Sequence, residues 1–215
     1  MSKLINTIYD LGIIPVTVLN SSDSAEPVGE ALIKGNLPCA EITFRTECAA
    51  KSIEILSKKF PQMIIGAGTV LTIDQVDSAV SSGAQFLVSP GFNPKVVSYC
   101  LKNNYLIFPG VMTPSEMESA MEMGLNILKL FPIQAIGGIN YLKAVSSPYP
   151  VLKFIPTGGI NAENLKDYAG NKNVLACGGS WMVNSKLIQE NQFEKIKQLA
   201  AEAVEIVKKE RSCQK

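Results

Sequence analysis

A lysine stands within a short apolar run, Ile127-Leu128-Lys129-Leu130-Phe131. A charged amine among such neighbours is costly unless it is paired, and burial favours the neutral amine. A neutral amine is the nucleophile that forms a Schiff base with a carbonyl compound. Lys129 is therefore either a Schiff-base lysine or a lysine that reaches solvent or pairs with a carboxylate. Lys153 lies four residues before Thr157, far below the end of its own run, so a structural role is predicted for it.

A carboxylate and a guanidinium close another apolar run, in Ala40-Glu41-Ile42-Thr43-Phe44-Arg45. Glu41 and Thr43 share one face of a strand because side chains alternate with a period of two. Glu41 is a candidate proton carrier. Arg45 is a candidate clamp for a substrate carboxylate, since its planar fork offers two parallel hydrogen bonds. A structural ion pair between the two residues is the alternative.

Glycine-rich turns follow three further runs, at Gly66-Ala67-Gly68-Thr69, Thr157-Gly158-Gly159 and Gly178-Gly179-Ser180. The first lets the backbone approach a ligand, and Thr69 adds a hydrogen-bond donor. The other two are typical of phosphate sites, because backbone N–H groups at such turns before helices bind anions. Ordinary tight turns are the alternative for all three.

Composition narrows the chemistry that these residues can do. The 215 residues include no histidine, which excludes Ser–His and Cys–His nucleophile pairs and histidine-ligated zinc. A net charge of +1 gives no basic surplus for nucleic acid, and no apolar stretch is long enough to cross a membrane. The five cysteines, of which Cys213 is the last, form no Cys-x-x-Cys pair, which favours a reducing cytoplasm.

The elements that must position these residues alternate regularly along the chain. Eight short apolar runs, typical of strands buried on both faces, are separated by amphipathic segments. The predicted strands are Ile13–Leu19, Cys39–Thr43, Met63–Ala67, Gln85–Ser89, Leu106–Pro109, Ile127–Phe131, Leu152–Pro156 and Val174–Cys177. The polar or glycine residues that end them recur about 23 residues apart, the length of one strand, one helix and two short loops.

This repeat predicts an α/β fold, a (β/α)8 TIM barrel, as one domain over residues 1–215 with an N-terminal helix and a long C-terminal helix, Gln192–Arg211. Other predicted helices include Ala25–Lys34, one opened by the capping box at Thr113–Glu116, and one opened at Asn161. A doubly wound open sheet is the alternative, but no Gly-x-Gly-x-x-Gly follows the first strand. In a barrel, chemistry sits at the carboxyl ends of the strands, where the residues above are expected.

Six of these motifs occur in an order that resembles one known family. They are Glu41–Thr46, Gly66–Val70, Ser89–Gly91, Lys129–Pro132, Pro156–Ile160 and Gly178–Trp181. Together, over roughly Ile5 to Val204, they resemble the 2-dehydro-3-deoxy-phosphogluconate aldolase family, which often also takes 4-hydroxy-2-oxoglutarate. The resemblance implies a class I aldolase, a cytoplasmic homotrimer, that needs no metal or other cofactor. It implies a small keto-acid phosphate as the substrate and no nucleic-acid or membrane partner.

The resemblance also implies roles for individual residues. Lys129 would form the Schiff base and Glu41 would carry the proton. Arg45 and Thr69 would hold the pyruvate carboxylate, and Pro90 and Phe131 would shape the pyruvate pocket. The phosphate would bind at Thr157, Gly158, Gly159, Gly179 and Ser180. The loop Gln134–Gly138 departs from the family pattern, in which this loop is often more polar and would contact the aldehyde side of the substrate.

Five alternatives remain open on the sequence alone. A related aldolase could prefer another 2-keto-3-deoxy acid, and a metal-dependent pyruvate aldolase could share the substrates. A barrel isomerase or epimerase would share the phosphate turns but would not need Lys129. A non-catalytic sugar-phosphate-binding barrel, or a purely structural trimer, would leave Lys129 without a reaction.

Overall fold

The computed structural model describes residues 3–212. All strand pairs are parallel, and helices follow most of the strands. The strands are β1 Ile13–Thr17, β2 Cys39–Thr43, β3 Ile64–Gly68, β4 Phe86–Val88, β5 Ile107–Phe108, β6 Gly110–Val111, β7 Ile127–Leu130, β8 Lys153–Pro156 and β9 Cys177–Gly179. The α-helices are α1 Lys3–Leu11, α2 Ala25–Lys34, α3 Ala49–Lys59, α4 Ile73–Ser81, α5 Pro94–Lys102, α6 Pro114–Glu122, α7 Gly138–Ser146, α8 Leu165–Ala169, α9 Ser185–Gln189 and α10 Phe193–Ser212.

The strands form two sheets, and the prediction of a closed (β/α)8 TIM barrel is wrong. One sheet has six strands in the order β5-β4-β3-β2-β1-β9, and the other has three in the order β6-β7-β8. The architecture is therefore a six-stranded parallel half-barrel beside a small three-stranded sheet. Strands that follow one another in sequence are neighbours within each sheet, an order that also differs from a doubly wound sheet.

The strand ladder is broken at two places. Pro109, the last residue of the predicted strand Leu106–Pro109, separates β5 from β6, and proline lacks the N–H that a continuous ladder needs. Between β8 and β9 only isolated bridges form, Phe154 with Val174 and Thr157 with Gly178. The predicted eighth strand, Val174–Cys177, instead begins at Cys177. A pattern of apolar runs predicts where strands lie but not whether their ladders join.

The interior has two hydrophobic clusters. The larger lies between the strands and the surrounding helices and includes Ile42, Leu128 and Phe154. The smaller includes Ile14, Phe86, Phe108 and other side chains of the strands, with partly buried residues of α1 packed against it. Since both strand faces are buried, each strand reads as an apolar run, and the polar residues at the strand ends are exceptions that need their own explanation.

Helix signals in the sequence locate several helices correctly. α2 has the predicted bounds. At the start of α6 the Thr113 side chain accepts a hydrogen bond from the Glu116 backbone N–H, and the Glu116 side chain accepts one from the Thr113 backbone N–H, as a capping box requires. Asn161 does not open a helix directly, because its side chain accepts from the backbone N–H groups of Glu163 and Asn164 and forms a turn before α8. Capping residues therefore mark turns as readily as helix starts.

Two predictions from composition can be compared with the described residues. Within residues 3–212, no helix combines the length and the apolar character needed to cross a bilayer. Cys39, Cys48, Cys100 and Cys177 are free thiols. Cys213 lies outside the described residues.

Arg211 fastens the last turns of α10 to the amino-terminal end of the strand set. Its Nε donates to the Ala169 carbonyl oxygen at 3.3 Å and its Nη2 donates to the Leu175 carbonyl oxygen at 2.8 Å. Its guanidinium carbon lies 4.2 Å from the centre of the Tyr9 ring in α1. A single side chain thus joins both terminal helices to α8 and to the segment before β9.

Replacing this arginine should weaken the fold rather than the site. We expect Arg211→Met to lower the free energy of unfolding by about 2 kcal/mol, because hydrogen bonds that involve a charged group contribute about 1.5–3 kcal/mol. Urea denaturation followed by circular dichroism measures this loss. Lys208→Met, on the same helix but in an exposed pair with Glu205, is the control and should change stability by less than about 0.5 kcal/mol. Equal effects of the two substitutions would contradict the role of Arg211.

Candidate active site

Lys129 and Glu41 lie together near the carboxyl ends of β7 and β2. Their side chains are only 5% and 3% exposed, and Lys129 Nζ is 3.9 Å from Glu41 Oε1. That separation is too long for a hydrogen bond, and Glu41 Oε1 has no hydrogen-bond partner among the described residues. A buried carboxylate oxygen without a partner is costly, so a ligand or water is expected to complete this site.

The strand next to β2 makes room for the Glu41 carboxylate. A Cβ atom on Gly68 would lie 2.1 Å from Glu41 Oε1 and 2.7 Å from its Cδ. Gly68 pairs with Thr43, so it lies at the carboxyl end of β3 beside the end of β2. The absence of a side chain at Gly68 is therefore what lets the carboxylate face Lys129.

Arg45 and Thr69 lie in the turns that follow β2 and β3. Arg45 Nε donates to Thr69 Oγ1 at 3.3 Å, and the arginine side chain is exposed at the mouth of the strand set. Thr69 has a φ of 57°, a left-handed conformation that β-branched residues rarely adopt. Such strain is found mainly where the surrounding structure enforces a position for function.

A cavity of about 290 Å³ opens at the carboxyl ends of β1, β8 and β9. Its wall includes Thr157, Gly158, Gly159 and Ser180 from the two glycine turns, together with Arg45 and Phe131. Gly158 and Gly159 have φ values of 97° and 82°, which favour glycine. The turn backbone and the Ser180 side chain are the polar groups expected to bind an anion here.

Phe131 connects this cavity to the buried amine. Its ring centre is 5.0 Å from Lys129 Nζ, and its side chain also lines the cavity. Pro90 packs against the strand beside Lys129. A Cβ on Gly110, the residue that pairs with Lys129 in the ladder, would clash with the Pro90 carbonyl oxygen. The loop after β4 therefore packs closely against the strand beside Lys129.

The structure brings most of the predicted residues together, with one exception. Lys129 and Glu41 form the buried pair, Arg45 contacts Thr69, and Thr157, Gly158, Gly159 and Ser180 border the cavity. Gly179 does not line it, because it packs against the Trp181 ring, and Gly178 lies there in its place. Lys153 lies at the opposite end, where its Nζ donates to the Lys172 carbonyl oxygen at 2.8 Å.

Part of the cavity wall was not predicted from the sequence. Val16, Val18, Asn184 and Ser185 also line the cavity. Asn184 accepts a hydrogen bond from the Lys186 backbone and so caps α9. This short polar capping pair after the Gly178–Ser180 turn was the one signal that could have indicated Ser185.

Cys39 is buried in β2 on the same face as Glu41. Burial, and then the charge of Glu41, raise the pKa of the Cys39 thiol well above its usual range. The nucleophilic form of cysteine is the thiolate, so Cys39 remains an unreactive thiol beside the site. Within the described part of the chain, no three or more cysteine, aspartate or glutamate side chains are grouped so as to hold a metal ion.

These features define a class of enzyme. A buried amine facing a carboxylate at the carboxyl ends of parallel strands suits imine chemistry on a carbonyl substrate. An arginine at the mouth and a glycine-lined cavity suit a substrate with an anionic group at each end. This is the arrangement expected of a Schiff-base lyase that acts on a phosphorylated keto acid.

Comparison with known proteins gives the family. The sequence model of KDPG and KHG aldolase matches residues 4–199. The 2-dehydro-3-deoxy-phosphogluconate aldolase of Haemophilus influenzae is 46% identical over 206 residues, which cover 96% of this chain and 97% of that protein. The chain therefore belongs to the KDPG and KHG aldolase family, and it is a lyase.

Two solved structures agree with this assignment. KDPG aldolase from Legionella pneumophila, with pyruvate as a covalent carbinolamine intermediate, has a TM-score of 0.89 and 38% identity and covers 93% of this chain and 97% of its own. The Zymomonas mobilis 2-keto-3-deoxy-6-phosphogluconate aldolase with 3-phosphoglycerate has a TM-score of 0.86 and 34% identity, covering 93% of this chain and 94% of its own.

The contact between Gly68 and Glu41 predicts an unusually sensitive glycine. We expect Gly68→Ala to lower kcat for pyruvate release at least about tenfold, because the new methyl group must displace the Glu41 carboxylate, and a shift of about 1 Å can cost 100-fold. A coupled assay of pyruvate release measures this. Gly91→Ala is the control, since a Cβ there meets nothing within 4 Å. Unchanged kcat in a folded Gly68→Ala enzyme would contradict this account.

Proposed function

We propose that Lys129 is the Schiff-base residue and Glu41 the proton carrier of a class I aldolase that cleaves 2-dehydro-3-deoxy-6-phosphogluconate to pyruvate and glyceraldehyde 3-phosphate. One observation carries this proposal: the buried Lys129 amine lies 3.9 Å from a Glu41 oxygen that has no partner within residues 3–212. The gap is of the size that a water or a substrate hydroxyl would bridge.

The other site residues bind the two ends of the substrate. Arg45 and Thr69 hold the pyruvate carboxylate, an assignment supported by their mutual hydrogen bond beside the site. Pro90 and Phe131 shape the pyruvate pocket, with Phe131 adjacent to the amine. The phosphate binds at Thr157, Gly158, Gly159, Gly179 and Ser180, and of these Gly179 contributes only through its position between Gly178 and Ser180.

The reaction proceeds through a covalent imine and uses no metal ion. The neutral Lys129 amine attacks the C2 ketone, and loss of water leaves a protonated imine that withdraws electrons from C3. Glu41, through a water, accepts the C4 hydroxyl proton as the C3–C4 bond breaks, and the bonding electrons form an enamine. Glyceraldehyde 3-phosphate leaves, Glu41 returns a proton to C3, and hydrolysis of the imine releases pyruvate.

The same imine chemistry serves 4-hydroxy-2-oxoglutarate, which would give pyruvate and glyoxylate. Only the aldehyde half of the substrate differs, and that half lies on the side of the glycine-lined cavity. The family to which the chain belongs includes both activities in its name. Discrimination between the two substrates therefore depends on the phosphate turns rather than on Lys129.

The chain acts as one domain in a cytoplasmic homotrimer. Buried free thiols at Cys39, Cys100 and Cys177 support a reducing compartment. Exposed apolar residues on and before α4, Leu71 at 50% and Ile73 at 38%, support an interface between copies of the chain.

Chemical trapping tests the assignment of Lys129. Incubation with pyruvate and borohydride should reduce the imine to a permanent adduct on Lys129, located by peptide mass spectrometry. Lys129→Met should lose both the adduct and at least about 1000-fold in kcat, whereas Lys153→Met, the other strand lysine, should keep the adduct. EDTA should leave turnover unchanged. Labelling of another lysine, or binding of substrate with no adduct at all, would refute the proposal.

Substitution of the carboxylate tests the role of Glu41. Glu41→Gln should still form the trappable imine, but it should exchange the methyl protons of pyruvate about 100-fold more slowly, because a general acid–base contributes about 100- to 10,000-fold. Exchange in D2O is followed by proton NMR. Glu54→Gln, which removes an exposed carboxylate paired with Lys51 and Lys58, should exchange at the wild-type rate. Wild-type exchange in Glu41→Gln would exclude Glu41 as the proton carrier.

A further inference from the structure

Gln134, in the loop after β7, contacts the Gly158–Gly159 turn and reaches past it to α8. Its backbone N–H donates to the Gly158 carbonyl oxygen at 3.1 Å, and its Nε2 donates to Tyr168 Oη at 2.8 Å. We propose that Gln134, braced by Tyr168, is a positioning residue that holds the Gly158–Gly159 turn in its phosphate-binding form and so favours the phosphorylated substrate. This inference rests on the proposed function.

The turn needs support because it is made of glycines. Gly158 and Gly159 have φ values of 97° and 82° and no side chains of their own, so the free turn would sample many conformations. The Gly158 carbonyl is held by the Gln134 backbone, and the Gly159 carbonyl accepts from Asn164 Nδ2 at 2.9 Å. In a planar trans peptide the N–H points opposite to the carbonyl, so these bonds orient the N–H groups of Gly159 and Ile160.

The Gln134 side chain fills the space that a side chain on Gly159 would need. A Cβ on Gly159 would lie 2.6 Å from Gln134 Cγ and 2.7 Å from its Cβ. A Cβ on Gly138 would lie 3.2 Å from Tyr168 Oη and 3.3 Å from Gln134 Oε1. The Gln134–Tyr168 pair therefore fits between two glycines, and this close packing limits how far the turn can move.

Tyr168 is buried and gives the Gln134 side chain a well-defined hydrogen-bond partner. It is 1% exposed, whereas Gln134 is exposed, so an exposed side chain directs its amide to a buried hydroxyl. Burial, and then the charges of Cys177 and Asp167, raise the pKa of Tyr168 to about 12. Even at about pH 9 the solution is roughly three units below this pKa, so the Tyr168 hydroxyl stays protonated throughout an enzyme assay. The effect of the Gln134–Tyr168 pair should therefore not depend on pH between about 6 and about 9.

The pair acts on the phosphate side without entering the imine site. Gln134 follows Lys129 by five residues, and the N–H of Ile133 also donates to the Thr157 carbonyl oxygen, at 2.9 Å. The backbone bonds of this loop survive substitution of the Gln134 side chain. Loss of the side-chain contact should then loosen the Gly158–Gly159 turn while Lys129 and Glu41 keep their positions.

The experiment compares Gln134→Leu and Tyr168→Phe, which keep most of the side-chain volume and remove the hydrogen bond. Each should raise KM for the phosphorylated acid about threefold to tenfold, the size expected for one hydrogen bond, and the double variant should be no worse than the worse single variant. KM and kcat for 4-hydroxy-2-oxoglutarate, and the rate of pyruvate methyl exchange, should stay within about twofold. Tyr99→Phe, which removes a bond to Asp77 on the outer surface, is the matched control.

The outcomes separate this inference from the proposed function. If Gln134→Leu leaves KM for the phosphorylated acid unchanged, or slows both substrates and pyruvate exchange equally, Gln134 is not a positioning residue for phosphate and the inference is wrong. If the wild-type enzyme shows no pyruvate exchange, the proposed function itself fails. Because Gln134 is exposed, its variant should fold even if Tyr168→Phe does not, which a melting curve of each variant checks.

Discussion

The site depends on keeping one amine and one carboxylate together in an interior that is mostly apolar. Lys129 and Glu41 are almost fully buried, yet Lys129 Nζ is 3.9 Å from Glu41 Oε1, which has no hydrogen-bond partner within the described residues. Burial of an amine and a carboxylate whose contact is incomplete contributes little or nothing to stability. The stability of the chain must therefore come from the two hydrophobic clusters and from links such as Arg211, which leaves the carboxyl ends of the strands free for chemistry.

The backbone does much of the shaping at those ends. Gly68 leaves space for the Glu41 carboxylate, and Gly158 and Gly159 adopt left-handed conformations beside the cavity. Glycine has a flexible backbone, so each of these positions needs contacts from neighbouring residues to fix its conformation. Neighbouring strands support Gly68, whereas the Gly158–Gly159 turn is held by Gln134, from the loop after β7, and by Asn164, further along its own loop.

Local features of the fold were predictable from the sequence, and its closure was not. β2 and α2 have the predicted bounds, because a buried strand and a capped amphipathic helix each have a local signature. Pro109 interrupts the ladder through its missing N–H, whereas the isolated bridges between β8 and β9 depend on long-range pairing, which no local pattern specifies. The site residues divide in the same way. Lys129 and Glu41 were predictable as polar residues in apolar runs, and Ser185 had only a weak capping signal. The hydrogen bond from Gln134 to Tyr168 arises from tertiary packing alone.

The two halves of the site are joined by few side chains, and this has a consequence for catalysis. Arg45 and Phe131 both line the glycine-edged cavity, and Phe131 also contacts the amine. Binding energy from a remote phosphate accelerates a reaction only if it orients the reacting bond, since uniform binding lowers KM alone. Under the proposed function, a well-held Gly158–Gly159 turn would both bind the phosphate and orient the C3–C4 bond relative to the Lys129 imine, whereas a loose turn would do both less well. Under the proposed function, the side chains that support this turn contribute to specificity together with the groups that would contact the phosphate.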